Sequence, residues 1–162
     1  MEEGIDLAIR IGNFTDQSLI FELISLTRLV IVGSVAYFDK FPEPKVPADL
    51  AQHNCVVYTR IASFNQWTLK GVSVTVNGNL QVNDSAAMRE AVVGGIGIGA
   101  SPIWAFRDGL EDKSLKIVLE AYEPSPIPIQ AVYRRGRFLS AKLRCFIDFL
   151  KDELATEPNC FD

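Results

Sequence analysis

Six of the chain's eight prolines fall in two tight groups: Pro42, Pro44 and Pro47, then Pro124, Pro126 and Pro128. A proline ring fixes φ and removes a backbone donor, so stretches this dense in proline read as extended connections rather than helices or strands. Regular structure is expected to resume at Ala48 after the first group and at Ile129 after the second. Irregular residues near Ala62-Ser63-Phe64 and Ser125-Pro126 bracket the middle of the chain. That bracketing predicts a second lobe, entered and left by separate crossings.

Around these connections, short apolar runs alternate with helical patterns. Strands are expected over residues 5–11, 19–24, 28–32, 56–60, 67–70, 73–76, 96–100, 115–119 and 129–133. Asn77-Gly78 is the kind of pair that makes a tight turn, with the alternation continuing at Leu80 and Val82. Helical turns are expected over 34–41 and from Pro47. A full helix follows Asn83-Asp84-Ser85, with Ala87, Met88, Ala91 and Val92 at helical spacing and Gly94-Gly95 as its stop. Ser101-Pro102 opens a helix over 103–110. Ser140 caps a last one, with Leu143, Phe146, Ile147 and Leu150 on one face. Alternating strands and helices predict an α/β class with largely parallel sheets.

At 162 residues, 48% hydrophobic and 22% charged, the chain is expected to build its core without disulfides. Its cysteines, Cys55, Cys145 and Cys160, are odd in number and unpaired in spacing. They read as free thiols of a reducing cytoplasm, with Cys55 a small buried hydrophobe. No apolar run is long enough for a membrane span, and the acidic start, Met-Glu-Glu-Gly, is no secretory signal. With net charge −4, the basic cluster Arg134, Arg135, Arg137, Lys142 and Arg144 reads as a solvated turn and helix face, and the chain itself is not expected to grip DNA.

The search for chemistry finds no catalytic set. Gly94-Gly95-Ile96-Gly97-Ile98-Gly99 looks like a dinucleotide fingerprint, but its glycines follow a helix and open a strand. A phosphate loop needs the reverse order, so that a helix N-terminus faces the anion. No nucleophile elbow is present, and His53, the only histidine, lacks a nucleophile nearby in sequence and reads as a surface or locally bonded side chain. No metal-ligand spacing exists, and neither metal nor cofactor is expected. Asn83-Asp84-Ser85 and Ser101-Pro102-Ile103 place short polar side chains where strands feed helices. Capping alone accounts for them, and an anion or carboxylate seat is the second reading, since open α/β sheets bind ligands beyond the carboxyl ends of their strands. Arg10, ending an apolar strand, is a third candidate, or else a partner for Asp6 or Asp16.

These segments, taken in order, resemble the effector-binding domain of LysR-type transcriptional regulators. The resemblance is carried by residues 4–12 followed by Ser18-Leu19-Ile20, and by Ser34-Val35-Ala36-Tyr37, where the family favours proline at the valine. It continues through Pro47-Ala48-Asp49-Leu50 with His53 and Cys55, Trp67, Asn83-Asp84, the run from Ala91 to Pro102, and the closing stretch from Tyr133 to Leu150. It implies a two-lobed α/β fold of the type II periplasmic-binding-protein kind, with a small molecule held between the lobes. The first lobe would comprise residues 1–61 plus 127–162 and the second 62–126. Effector contacts implied by matching motifs are Arg10, Gly12, Ser18, Asn83, Asp84, Ser101 and Pro102. Family members begin with a winged helix-turn-helix and a linker helix that read DNA. Neither is found here, and the first strand and helix of lobe one are also missing, so the first lobe is expected to be incomplete.

The resemblance thus implies a cytoplasmic sensor of an organic acid or aromatic metabolite. It would be a homodimer or higher homo-oligomer, not an enzyme, and would touch DNA only through the missing helix-turn-helix. A solute-binding protein of the same fold and a non-sensing dimerisation module stand as alternatives.

Overall fold

The structure, a computed structural model, describes residues 4–60, 65–136 and 139–155. Its contacts divide the chain into two compact units. Unit 1 is formed by residues 1–27 and 126–162, and unit 2 by residues 28–125.

Unit 1 is a three-stranded antiparallel sheet with one helix. Strand β1 (Ala8–Ile11) and strand β2 (Leu19–Thr27) flank β10 (Ile127–Arg134), and helix α4 (Ala141–Ala155) packs on β2. Ile147 of α4 is fully buried against Ala131 and Tyr133. On the same face Glu22 accepts from Tyr133 Oη, Arg144 Nη1 and Lys151 Nζ. Ser140 Oγ accepts from Leu143 N at 3.3 Å, the expected cap. Strand β10 begins two residues earlier than expected and includes Pro128. The proline is tolerated because β1 stops at Ile11, opposite Ile129. Its missing N–H falls beyond that ladder, and only its carbonyl is used there, accepting from Gly12 N at 2.9 Å.

Unit 2 is built on a five-stranded sheet in the order β7-β4-β8-β3-β9. The strands are β3 (Leu29–Ser34), β4 (Cys55–Tyr58), β7 (Gln81–Val82), β8 (Ile98–Pro102) and β9 (Leu115–Val118). Helix α1 (Val35–Phe38) and a 3-10 turn, Pro47–Gln52, connect β3 to β4. A hairpin, β5 (Gln66–Leu69) and β6 (Val72–Thr75), precedes β7. Helix α2 (Ser85–Val93) joins β7 to β8, and a 3-10 turn, Ile103–Phe106, running into α3 (Arg107–Glu111) joins β8 to β9. Val30, Val32, Val56, Met88, Val92 and Phe106 form the core on the α2 face. Ile31, Leu50, Cys55, Val57, Leu69 and Ile98 form the core on the other.

Three expectations need correction. The sheets are not largely parallel. β4 runs parallel to β7 and β8, but β3 is antiparallel to both β8 and β9, and the sheet of unit 1 is antiparallel throughout. Helices between strands signalled crossovers, and two exist, but a strand inserted against the grain leaves no local mark. Residues 28–60, expected in the first lobe, lie in unit 2, because β3 and β4 take inner positions of its sheet. The expected crossing at Ala62-Ser63-Phe64 lies outside the described residues, as do Arg137 and Cys160. Finally, Asn77-Gly78 makes no hairpin turn. Asn77 O accepts from Cys55 N at 2.9 Å, and a Cβ on Gly78 would come within 1.8 Å of Cys55 O. Glycine stands there so that the chain can lie flush against β4.

The glycine run after α2 has a packing reason. Gly95 takes a left-handed φ of +71° to leave the helix, and a Cβ on Gly99 would meet Val92 Cγ2 at 2.6 Å and Met88 Sδ at 2.7 Å. Cys55 is fully buried, and desolvation pushes its thiol up to about 12.

Candidate functional site

Three parallel strands of unit 2 end at the same level. Val57 and Tyr58 of β4 pair with Gln81 and Val82 of β7, and Cys55 and Val56 pair with Ile98 and Gly99 of β8. Carried forward, that register sets Ser101 level with Tyr58 and Val82. Carboxyl ends of parallel strands are where open α/β sheets seat ligands, because the following helices begin there.

Thr59 closes the β4 end. Its N–H and its hydroxyl both donate to Val82 O, at 2.8 and 3.2 Å. The chain then turns at Asn83 into α2. Asp84 is the N-cap residue, with extended φ and ψ, and its Oδ1 accepts from Ala86 N at 2.9 Å and Ala87 N at 3.1 Å. Beside this helix start lies an open depression of about 480 Å³, lined by Thr59, Gln81, Val82, Asn83 and Ala87. Gln81 and Asn83 are exposed, and no hydrogen bond within the described residues engages either side-chain amide. The depression therefore offers amide donors and acceptors, one hydroxyl, and the apolar flanks of Val82 and Ala87. It suits a small ligand with a few hydrogen-bonding groups and an apolar part.

Of the two readings left open for Asp84, the geometry favours capping. Its carboxylate already takes two of the first-turn N–H groups and sets a negative charge where an anion would have to bind. An acidic ligand would meet the Asn83 and Gln81 amides more favourably than Asp84. Ser101 and Pro102 stand where β8 feeds a helical stretch, as expected, with Pro102 at the N-cap position of the 3-10 turn Ile103–Phe106 that runs into α3. They are the last residues of β8, opposite Val30 and Leu29, and the turn after them has no side-chain cap. Ser101 is nearly buried, at 6% exposure.

Arg10, Gly12 and Ser18 belong to unit 1. Arg10 is exposed on β1 opposite Gln130, with its guanidinium carbon 5.9 Å from the Phe14 ring centre. Gly12 follows β1 with φ of +113°. Ser18 closes the following loop. Its hydroxyl donates to Asp16 Oδ1 at 2.6 Å and its N–H to the same atom at 2.9 Å, which holds the Asp16 carboxyl below its ordinary value.

Sequence reasoning missed Thr59 and Gln81. Thr59 falls inside the strand expected over 56–60 and Gln81 between the alternating Leu80 and Val82, and only sheet order shows that β4 and β7 lie side by side. Of the two expected readings of His53, the local bond holds and the surface position does not. His53 is 8% exposed, its Nδ1 lies 3.2 Å from Tyr37 Oη, and desolvation lowers its pKa. Tyr37 Oη also accepts from Asn54 N, and Asp49 accepts from the N–H groups of Lys45 and Val46. The segment Pro47 to Cys55 is thus tied by local bonds to the start of β4. No group of three or more His, Cys, Asp or Glu side chains among the described residues is placed to hold a metal. No described helix is long and apolar enough to cross a membrane.

Comparison with known proteins gives a consistent picture. The family described as LysR substrate binding domain matches residues 1–155. The HTH-type transcriptional regulator YcaN of Escherichia coli (strain K12) is 29% identical over 154 residues, 93% of this chain and 51% of the relative. The HTH-type transcriptional regulator CrgA of Neisseria meningitidis serogroup C (strain 8013) is 27% identical over 158 residues, 95% of this chain and 53% of the relative. The chain spans about half the length of these curated relatives. The solved regulatory domain of CrgA from Neisseria meningitidis superposes with a TM-score of 0.82 at 25% identity, over 93% of this chain and 76% of that one. The effector domain of AmpR from Pseudomonas aeruginosa, at 22% identity and a TM-score of 0.75, shares the fold.

Proposed function

This chain belongs to the LysR substrate-binding domain family, and from that premise we propose that it is the small-molecule sensor of a transcriptional regulator, with its effector seated at the depression beside the start of α2. Its fold is the mixed α/β, type II periplasmic-binding-protein-like fold of LysR regulatory domains. LysR-type regulators bind effectors and DNA, and the relatives named above are transcriptional regulators rather than enzymes. The chain's own part is sensing in the cytoplasm. DNA contact falls to a helix-turn-helix of the kind for which the relatives are named.

The observation that carries the reading is the convergence of Thr59, Gln81 and Asn83 where three parallel strands end, with two side-chain amides left unengaged. The effector class is a small organic acid or aromatic metabolite. Its carboxylate would be held by the Asn83 and Gln81 side-chain N–H groups, its hydroxyl groups by the free lone pairs of Thr59 Oγ1, and its apolar part by Val82 and Ala87. Asp84, which caps α2, and Ser101 and Pro102, which end β8, are further proposed contacts in unit 2. Arg10, Gly12 and Ser18 are the proposed contacts of unit 1, and the two compact units are the two regulatory lobes.

Isothermal titration with succinate and benzoate, as aliphatic and aromatic carboxylates, tests the seat. Saturable binding of either is expected, weakened about tenfold by Asn83→Ala, the loss of one good hydrogen bond to a charged group. Thr59→Val is expected to weaken it less. Binding indifferent to both substitutions rules out this seat, and absence of binding by both probes counts against a carboxylate effector.

A further inference from the structure

Unit 2 is joined covalently to the rest of the chain at two places only, before Arg28 and after Ser125. Arg28 is its first residue, and Glu123 stands two residues before its last. Though 95 positions apart in sequence, these two side chains meet. Arg28 Nε donates to Glu123 Oε2 at 3.1 Å and Arg28 Nη2 to Glu123 Oε1 at 2.8 Å. The pair is a two-pronged fork, with side chains 27% and 18% exposed. Arg89 with Glu90 and Arg107 with Glu111 join near neighbours, whereas Lys116 with Glu43 and Lys151 with Glu22 join distant residues through a lysine ammonium, which makes no fork. A planar fork on a partly buried carboxylate constrains direction as well as distance, which a lysine in the same place would not do.

The backbone around each partner is also set. Arg28 O accepts from Ile103 N at 3.0 Å, the first residue after the Ser101-Pro102 end of β8. On the other side, Leu119 is buried and adopts a left-handed φ of +59°, uncommon for a side chain of its size. That turn starts the 3-10 helix Glu120–Tyr122, which delivers Glu123 to Arg28, and Pro124 and Pro126 follow directly.

We propose that the Arg28–Glu123 fork is a clamp that fixes the spacing and direction of the two segments by which unit 2 is attached. Its loss frees those segments while the sheet of unit 2 stays folded. The inference does not depend on where an effector binds.

Hydrogen exchange on the full chain tests it. In Arg28→Lys and Glu123→Gln, the amides of Ile103 and Tyr122 are expected to exchange at least about fivefold faster, while amides across the β3–β9 ladder change by less than about twofold. Arg28→Lys keeps the charge and loses the fork, so a merely electrostatic contact would leave it close to the native protein. Reversing both charges, Arg28→Glu with Glu123→Arg, is expected to return most of the lost protection. Unchanged exchange in both single variants overturns the clamp. So does a uniform rise across unit 2, which would make the pair an ordinary stabilising contact, and so does failure of the double reversal to recover protection.

Discussion

Replacing Asp84 by alanine separates the two roles its position allows. The side chain makes two hydrogen bonds, to Ala86 N and Ala87 N, and places a negative charge at the start of a nine-residue helix. Loss of such a cap costs about 1 kcal/mol. The charge at the helix end adds roughly 0.3 kcal/mol or more at low salt. The larger penalty for stranding buried donors does not apply, because Asp84, Ala86 and Ala87 are all exposed and water reaches the freed N–H groups. The expected cost is therefore about 1–1.5 kcal/mol, a fall in Tm of roughly 2–5 °C for a chain of this size. Asp84→Asn keeps an acceptor oxygen and is expected to lose only a few tenths of a kcal/mol. Urea unfolding followed by circular dichroism measures both, with the denaturant slope expected to stay constant because no core surface is altered. If Asp84→Ala proves as stable as the native chain, the cap does not hold the helix start. If it also abolishes carboxylate binding, Asp84 is a ligand contact and the assignment of the seat to Asn83 and Thr59 is wrong.

Two further outcomes follow from the packing and the charges. Gly99→Ala is expected to cost about 1–3 kcal/mol in thermal unfolding, because its Cβ would lie 2.6 Å from Val92 Cγ2 on a stiff side chain; Met88→Ala in the same background should recover none of the Val92 clash. Glu22, whose carboxyl is held below its ordinary value of 4.5 first by Lys151, then by Tyr133 and Arg144, stabilises unit 1 fully above that value and loses its contribution as the pH falls through its lowered folded value, so Glu22→Gln should cost about 1 kcal/mol at pH 7 and flatten the acid limb of a stability–pH curve.

Local signals were legible to the degree that they were local. The N-cap at Asp84, the stop at Gly94-Gly95, the Ser140 cap and the burial of Cys55, Met88, Ala91 and Val92 were all written in short runs. Each depends on a helix period, a side-chain acceptor or an apolar neighbour within a few residues. The family, too, was legible, because an ordered set of weak motifs carries more than any one of them. Ser101-Pro102 was legible as the start of a helical stretch from Ile103, but its pairing with β3, through residues some seventy positions earlier, was not.

By itself, then, the sequence determined the α/β class, the family, the helix boundaries near Asp84 and Ser140, and the absence of a recognisable catalytic motif. The tertiary structure alone decided that β3 runs against its neighbours, that residues 28–60 join unit 2, and that Thr59 stands beside Asn83. It also decided that Arg28 meets Glu123. The division has one physical cause. Helix caps and hydrophobic periods are energies of near neighbours along the chain, whereas strand order and ion pairs between distant residues are energies of neighbours in space, which residue spacing alone does not encode.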